Sequence, residues 1–274
     1  MKKLLFLFII LFTQNILADN TNIITQTREG NETKYEVIRP EIFNLFTPEF
    51  ALLYPSQVIF LEAQRIMANL KSSLYEHTTT IDEYNGIYNT DCSGLVGYVL
   101  KYALNTHYLP IDAAKIVGTT RPLATDFYNF FNNCLTTSDT TLNPTGWMKI
   151  QYLRNALPGD IIVWDYKDDT KENTGHVVIL VNLVEKFTES VTINNIKYWE
   201  YKVRIIDSSS STHYQDTRNL PTNLTGQGVG CGDMYFGVNS AGEIKYSKWS
   251  SRTSTPAFEN FAIGRAIQLP LMNK

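Results

Sequence analysis

Three residues whose side chains can support nucleophilic catalysis occur in order along the chain: a cysteine, a histidine and an aspartate. Cys92 lies in the segment 90–94, Thr-Asp-Cys-Ser-Gly, where the pattern predicts the start of a helix. Unpaired backbone N–H groups and the positive end of the helix dipole stabilise a thiolate at such a position. Cys92 is therefore the candidate nucleophile.

The candidate base and its orienting group come from the second half of the chain. His176 follows Gly175 at the start of an apolar run that predicts a strand, so a rigid element carries its imidazole. Asp207 ends the next predicted strand. On a neighbouring strand its carboxylate could accept the N–H of His176 and fix the imidazole tautomer. His213 is a second candidate for this third position.

The elements that must position these residues are helices first and strands second. Apolar residues at helical spacing predict helices from Pro55 to near His77, from Cys92 to about Leu104, and between Arg121 and Cys134. Strands are predicted over residues 161–164, 176–184, 198–206, 234–238 and 261–267, with a turn at 239–242. This order predicts an α+β fold, with N-terminal helices packed on an antiparallel sheet.

Three short motifs in this order resemble those of the NlpC family of cell-wall cysteine peptidases, which have a papain-like fold. They are the Asp-Cys-Ser-Gly helix start, Pro-Gly-Asp at 158–160 before a strand, and Gly-His at the start of the next strand. The resemblance runs from about Tyr84 to Asp207. It implies a nucleophile at Cys92, a general base at His176 and a variable polar third residue, which Asp207 matches.

The resemblance also implies details of the reaction. The backbone N–H of Cys92 would contribute to an oxyanion hole, and an upstream tyrosine, Tyr84 or Tyr88, would lie near the sulfur. The expected protein is a cysteine peptidase or amidase that hydrolyses an amide or peptide bond, with peptidoglycan stem peptides as its substrate class. Two alternatives stay open: a papain-like acyltransferase, and a non-catalytic cell-wall binding module on the same fold.

The beginning of the chain predicts export. Lys2 and Lys3 precede an apolar run at residues 4–12, and Ile-Leu-Ala at 16–18 offers a cleavage site. We therefore expect a signal peptide at 1–18, an N-terminal extension at 19–55 and one catalytic domain at 56–274. Cleavage after Ala18 would release a secreted or periplasmic protein without a stable membrane anchor, because no later apolar run is long enough to span a bilayer.

Charge and cysteine spacing restrict the remaining classes. The 24 basic and 27 acidic residues give a net charge of −3, which argues against a nucleic-acid partner. The spacing of Cys92, Cys134 and Cys231 matches no zinc motif, so neither a metal nor another cofactor is expected. Cys134 and Cys231 could form a disulfide or remain unpaired. Surface roles are expected for His77 and His107, and the oligomeric state stays open.

Overall fold

The computed structural model describes residues 23–29, 32–38, 54–166, 173–219 and 226–269. The chain divides into two compact units, residues 1–47 and 48–274. In the first unit, β1 (Ile23–Glu29) and β2 (Glu32–Ile38) pair as an antiparallel hairpin. The signal peptide expected at 1–18 and most of the remaining extension lie outside the described residues.

The second unit begins with helices and three-residue strands, and the longer strands of its central sheet follow. Its elements are α1 (Pro55–Asn69), β3 (Thr80–Asp82), β4 (Ile87–Asn89), α2 (Cys92–Ala103), α3 (Asn105–Ala113), α4 (Ala124–Asn133), β5 (Trp147–Lys149), β6 (Ile161–Asp165), β7 (Gly175–Ile193), β8 (Ile196–Ser209), β9 (Gly228–Val238), β10 (Ile244–Lys248) and β11 (Asn260–Ala266). The predicted α+β class is confirmed.

The central sheet has seven strands in the order β10-β9-β8-β7-β6-β11-β5, and every neighbouring pair is antiparallel. Strands β7 and β8 form a long hairpin closed by Asn194 and Asn195, which have φ values of 51° and 63°. Two consecutive residues with positive φ form the tight turn that matches the twist of a hairpin. β7, at Gly175–Ile193, extends nine residues beyond the end of its predicted range 176–184. β8, at Ile196–Ser209, exceeds its predicted range 198–206 by two residues at the start and three at the end.

The central part of the sheet is covered by apolar clusters on both faces, because side chains alternate between the two faces along each strand. On β7, Val177 and Ile179 pack against the helices, whereas Val178 and Leu180 belong to a second apolar cluster. The helices contribute buried residues at helical spacing: Ile59, Ile66, Leu95, Val96, Val99, Phe127 and Phe131. Strands enclosed in this way provide a rigid base for the side chains at their ends.

Helix α1 ends at Asn69, so the prediction that it reaches His77 is wrong. Beyond it the backbone is extended: the N–H of Lys71 donates to the carbonyl of Gly86, and that of Tyr88 donates to the carbonyl of Ser72. The apolar spacing continues past residue 69, but these long-range hydrogen bonds outweigh it. The segment at 70–79 therefore runs beside β4 and reaches Thr90, just before α2.

Several elements were not predicted: the hairpin β1–β2, the three-residue strands β3, β4 and β5, helix α3 and strand β10. Three residues are too few to establish a period, and α3 contains Pro110, which normally argues against a helix. Within the described ranges, none of the helices has the length and apolar character needed to cross a membrane.

Candidate active site

The N-terminus of α2 presents Cys92 as the first helical residue. Asp91 caps the helix, because its Oδ1 accepts the backbone N–H of Gly94 at 2.8 Å. A Cβ at position 94 would lie 2.3 Å from the Thr90 hydroxyl oxygen and 2.4 Å from that of Thr79. Because Gly94 has no Cβ, the side chains of Thr90 and Thr79 can pack against the first turn of α2.

The Asp91 cap binds the backbone N–H of Gly94 and not that of Cys92. Among the residues that the structure describes, the backbone N–H of Cys92 has no hydrogen-bond acceptor. An open N–H at a helix N-terminus, supported by the helix dipole, favours an anion. The beginning of α2 can therefore stabilise a thiolate or a developing oxyanion.

His176 lies at the start of β7, opposite Trp164 of β6. Its ring is packed between two indoles, with centroid distances of 5.0 Å to Trp164 and 5.1 Å to Trp249. Only 4% of the residue is exposed. This packing restricts rotation of the imidazole, as positioning of a base requires.

Asp207 completes the arrangement from β8. The register that pairs Ile179 with Ile206 places Asp207 on the same face as His176, at the diagonal position. Nε2 of His176 donates to Oδ2 of Asp207 at 2.7 Å. The other ring nitrogen, Nδ1, is left for Cys92, whose negative charge raises the pKa of His176, so the sulfur lies close to the imidazole. The structure therefore brings the three sequence-predicted residues together.

Electrostatics favour a charged imidazole and a charged carboxylate. Burial opposes the imidazolium form, but the negative charge of Cys92 and the hydrogen bond to Asp207 outweigh it and raise the pKa of His176 to about 10. Burial alone would raise the pKa of Asp207, but the charges of Arg218 and His213 hold it well below its usual value. An imidazolium bonded to a carboxylate is the state that these charges stabilise at neutral pH.

His213 does not replace Asp207 as the third residue; it binds to it. Nε2 of His213 lies 3.0 Å from the same Oδ2 that His176 contacts, and Arg218 donates to Oδ1. Arg218 was not predicted from the sequence. It lies in a 3-10 turn, Thr217–Asn219, and no local pattern relates this turn to a residue of β8 eleven positions earlier.

The segment before Cys92 is held by Arg121, which sequence analysis also missed. Its guanidinium donates to Oδ2 of Asp91 and to the hydroxyl of Ser93, each at 2.6 Å. His77 lies 3.2 Å from the same carboxylate and is exposed, as predicted. The surface role predicted for His107 is wrong: this residue is buried, and its Nε2 donates to the carbonyl of Ile267.

The tyrosines near the sulfur are not the expected ones. Tyr84 is 91% exposed, and the hydroxyl of Tyr88 accepts a hydrogen bond from Asn69. Burial, followed by the negative charge of Cys92, raises the pKa of both Tyr75 and Tyr166. Tyr75 lies in the extended segment 70–79, so the error follows from the misplaced end of α1.

The Pro-Gly-Asp motif belongs to the scaffold. Gly159 has a φ of +87°, and a Cβ there would lie 1.7 Å from the carbonyl oxygen of Ser56. Asp160 accepts two hydrogen bonds from Arg265 on β11, at 2.8 and 2.7 Å. The motif therefore joins β6 to the start of α1 and to β11.

The other two cysteines are free thiols. Burial raises the pKa of Cys134 and of Cys231 to about 11. Within the described parts of the chain, no group of three or more His, Cys, Asp or Glu side chains is arranged so that it could hold a metal ion. A groove of about 470 Å³ beside Cys134 and Lys149 includes none of the three site residues.

Comparisons with known proteins give no match: none of the protein-family models, curated proteins or solved structures is similar to this chain.

Proposed function

We propose that the protein is a papain-like, NlpC-type cysteine hydrolase that cleaves an amide or peptide bond, with peptidoglycan stem peptides as its substrate class. The observation that carries the proposal is a buried group of three side chains: His176 is hydrogen-bonded to Asp207 at 2.7 Å, and it lies near enough to Cys92 for the charge of the sulfur to raise its pKa. One imidazole nitrogen is fixed by the carboxylate and the other is left for the thiol, which is the arrangement that activates a nucleophile.

In the proposed reaction, the Cys92 thiolate attacks the carbonyl carbon of the substrate. The open backbone N–H of Cys92 stabilises the resulting oxyanion. His176 donates its proton to the leaving amine, and a thioester with Cys92 remains. His176 then takes a proton from water, which attacks the thioester and releases the acid. Asp207 stays ionised throughout and orients the imidazole.

The substrate class rests on the resemblance of the ordered motifs to cell-wall peptidases and on the predicted leader. A secreted or periplasmic protein would meet peptidoglycan directly. The proposed partner is thus the cell wall or a peptide derived from it, with neither a nucleic acid nor a membrane anchor involved.

The test is digestion of purified bacterial cell wall, followed by mass spectrometry of the soluble products. We expect Cys92→Ser to lower peptide release on the order of 10⁴-fold or more. Cys134→Ser is the matched control, because it alters a free thiol outside the site. Release by Cys92→Ser at the rate of the wild type would refute the proposal.

An acyltransferase is the second candidate, and the burial of the site favours it: Cys92 is 3% and His176 4% exposed, which restricts access of water to an acyl-enzyme. Adding a free amine to the digestion separates the two reactions. Hydrolysis leaves product masses unchanged, whereas transfer adds the mass of the amine minus water. Binding to the wall without turnover, unaffected by Cys92→Ser, would indicate a non-catalytic module.

A further inference from the structure

A buried cluster of charges surrounds the carboxylate of Asp207. Oδ2 accepts from Nε2 of His176 at 2.7 Å and from Nε2 of His213 at 3.0 Å, while Oδ1 accepts from Arg218. The side chains of Asp207, His213 and Arg218 are fully buried. Since three donors converge on it, the carboxylate is ionised and acts only as an acceptor.

The second ring nitrogen of His213 determines its charge. Nδ1 lies 3.0 Å from the backbone carbonyl oxygen of Trp249, which can only accept a hydrogen bond. Nε2 faces the ionised Asp207. Both ring nitrogens must therefore carry a proton, and His213 is an imidazolium ion.

The loop after β8 is built to keep this cation in place. Asp216 accepts the backbone N–H groups of His213 and Arg218, at 2.7 and 2.8 Å, and forms an ion pair with the Arg218 guanidinium at 2.7 Å. Arg218 also donates through Nε to the carbonyl of Gly228 on β9. The cluster is thus fixed by the loop itself and by a neighbouring strand.

The charges balance when Cys92 and His176 form an ion pair. The anions are then Asp207, Asp216 and the Cys92 thiolate, and the cations are Arg218, His213 and His176. Another charged pair on neighbouring strands, Arg204 and Asp233, forms an ion pair of 2.9 Å. Removing the charge of His213 would leave an uncompensated buried anion.

We propose that His213 is a positively charged positioning residue, which works with Arg218 and Asp216 to keep Asp207 ionised and the Cys92–His176 pair in its reactive form. This role rests on the proposed function, but the charge of His213 and the reactivity of Cys92 can be measured without a substrate.

The first experiment is ¹⁵N NMR of histidine-labelled wild-type protein at pH 7. The chain has four histidines, so the His213 resonances are assigned by elimination from the spectra of His77→Gln, His107→Gln and His176→Gln. We expect shifts typical of protonated nitrogen at both ring positions of His213. The same shifts should persist in Cys92→Ala, since the partners of His213 are unchanged. A neutral tautomer of His213 in the wild type would overturn the proposal.

The second experiment measures the rate of iodoacetamide alkylation of Cys92 at pH 7. His213→Gln keeps a donor but removes the cation, and we expect it to slow alkylation by about 10-fold or more, the usual effect of losing an orienting partner. Unchanged alkylation would contradict the role. If His213→Gln fails to fold, the NMR experiment still tests the proposal, because it measures the charge of His213 in the wild-type protein.

Arg265→Gln is the control for general damage. It breaks the ion pair with Asp160, which shares no partner with Asp207, so Cys92 should keep its reactivity within about twofold. If both experiments succeed while cell wall is not digested, the proposed function fails and the positioning role stands. If digestion succeeds and His213 is neutral, the reverse holds.

Discussion

Two carboxylates on the same strand, Asp207 and Glu200, have nearly the same surroundings. Both side chains are buried, and each accepts bonds from three donors. Glu200 is bonded to Tyr246 at 2.8 Å, Lys248 at 2.7 Å and Arg252 at 2.9 Å. Burial opposes ionisation at both positions, and the partners nevertheless lower both pKa values.

The two carboxylates differ in the groups that their hydrogen-bond partners contact in turn. The hydrogen bonds of Tyr246, Lys248 and Arg252 secure β10 and its following turn to β8. In contrast, His176 has a second ring nitrogen, and in the proposed mechanism it links Asp207 to the thiol of Cys92. A buried, ionised carboxylate is therefore not sufficient evidence of an active site. The bond from Asp207 to an imidazole that lies beside the proposed nucleophile distinguishes it from Glu200.

The largest expected difference is in activity. Asp207→Asn should lower hydrolysis roughly 10²–10⁴-fold, because the imidazole loses its charged orienting partner. Glu200→Gln should leave hydrolysis within about threefold, since it shares no partner with the site. Cell-wall digestion by the two purified variants, with circular dichroism to verify folding, makes the measurement. Equal losses would remove the distinction between the two carboxylates.

Thiol reactivity should separate the site from the rest of the protein without any substrate. His176→Ala should slow alkylation of Cys92 at pH 7 by about 10-fold or more, because the thiol loses the imidazole that accepts its proton. Cys134 and Cys231 should stay slow in both proteins, since burial raises their pKa to about 11. Peptide mapping of labelled protein identifies each thiol. Rapid Cys92 labelling in His176→Ala would show that the imidazole does not activate it.

The smallest expected effect is on the pH dependence of stability. The pKa of His176 is raised to about 10 from an ordinary value of 6.5, so its contribution is complete below about pH 6.5 and is lost as the pH rises towards 10. Urea unfolding between pH 6 and 10 measures this loss of stability. The same decline in His176→Gln would assign it to another group.

The lowered pKa values of Asp207 and Glu200 act in the opposite direction. Their contributions are present above the unfolded-state pKa and are lost as the pH falls through the folded-state value. Acid unfolding should therefore be altered by both Asp207→Asn and Glu200→Gln, whereas only the former alters activity.

Local patterns in the sequence were enough to find the three candidate residues and most of the elements that carry them. The cap formed by Asp91, the apolar spacing of α2 and the uninterrupted runs of β6 and β7 depend on neighbours within a few residues. Such short-range preferences also indicate the α+β class and the order of helices and strands.

The end of α1, the identity of the tyrosines near Cys92 and the burial of His107 required the tertiary structure. Each depends on a hydrogen bond or contact between segments distant in sequence, as between Ser72 and Tyr88 or between His107 and Ile267. Such long-range contacts can override local propensity, and no period in the sequence encodes them.

The sequence by itself thus determined that Cys92 begins a helix and that His176 and Asp207 lie on two strands. Only the tertiary structure decided that His213 and Arg218 share the carboxylate of Asp207. The physical reason is that a charge buried away from water must find its counterions in space, and the folded sheet and the loop after β8 determine which groups are near enough to supply them.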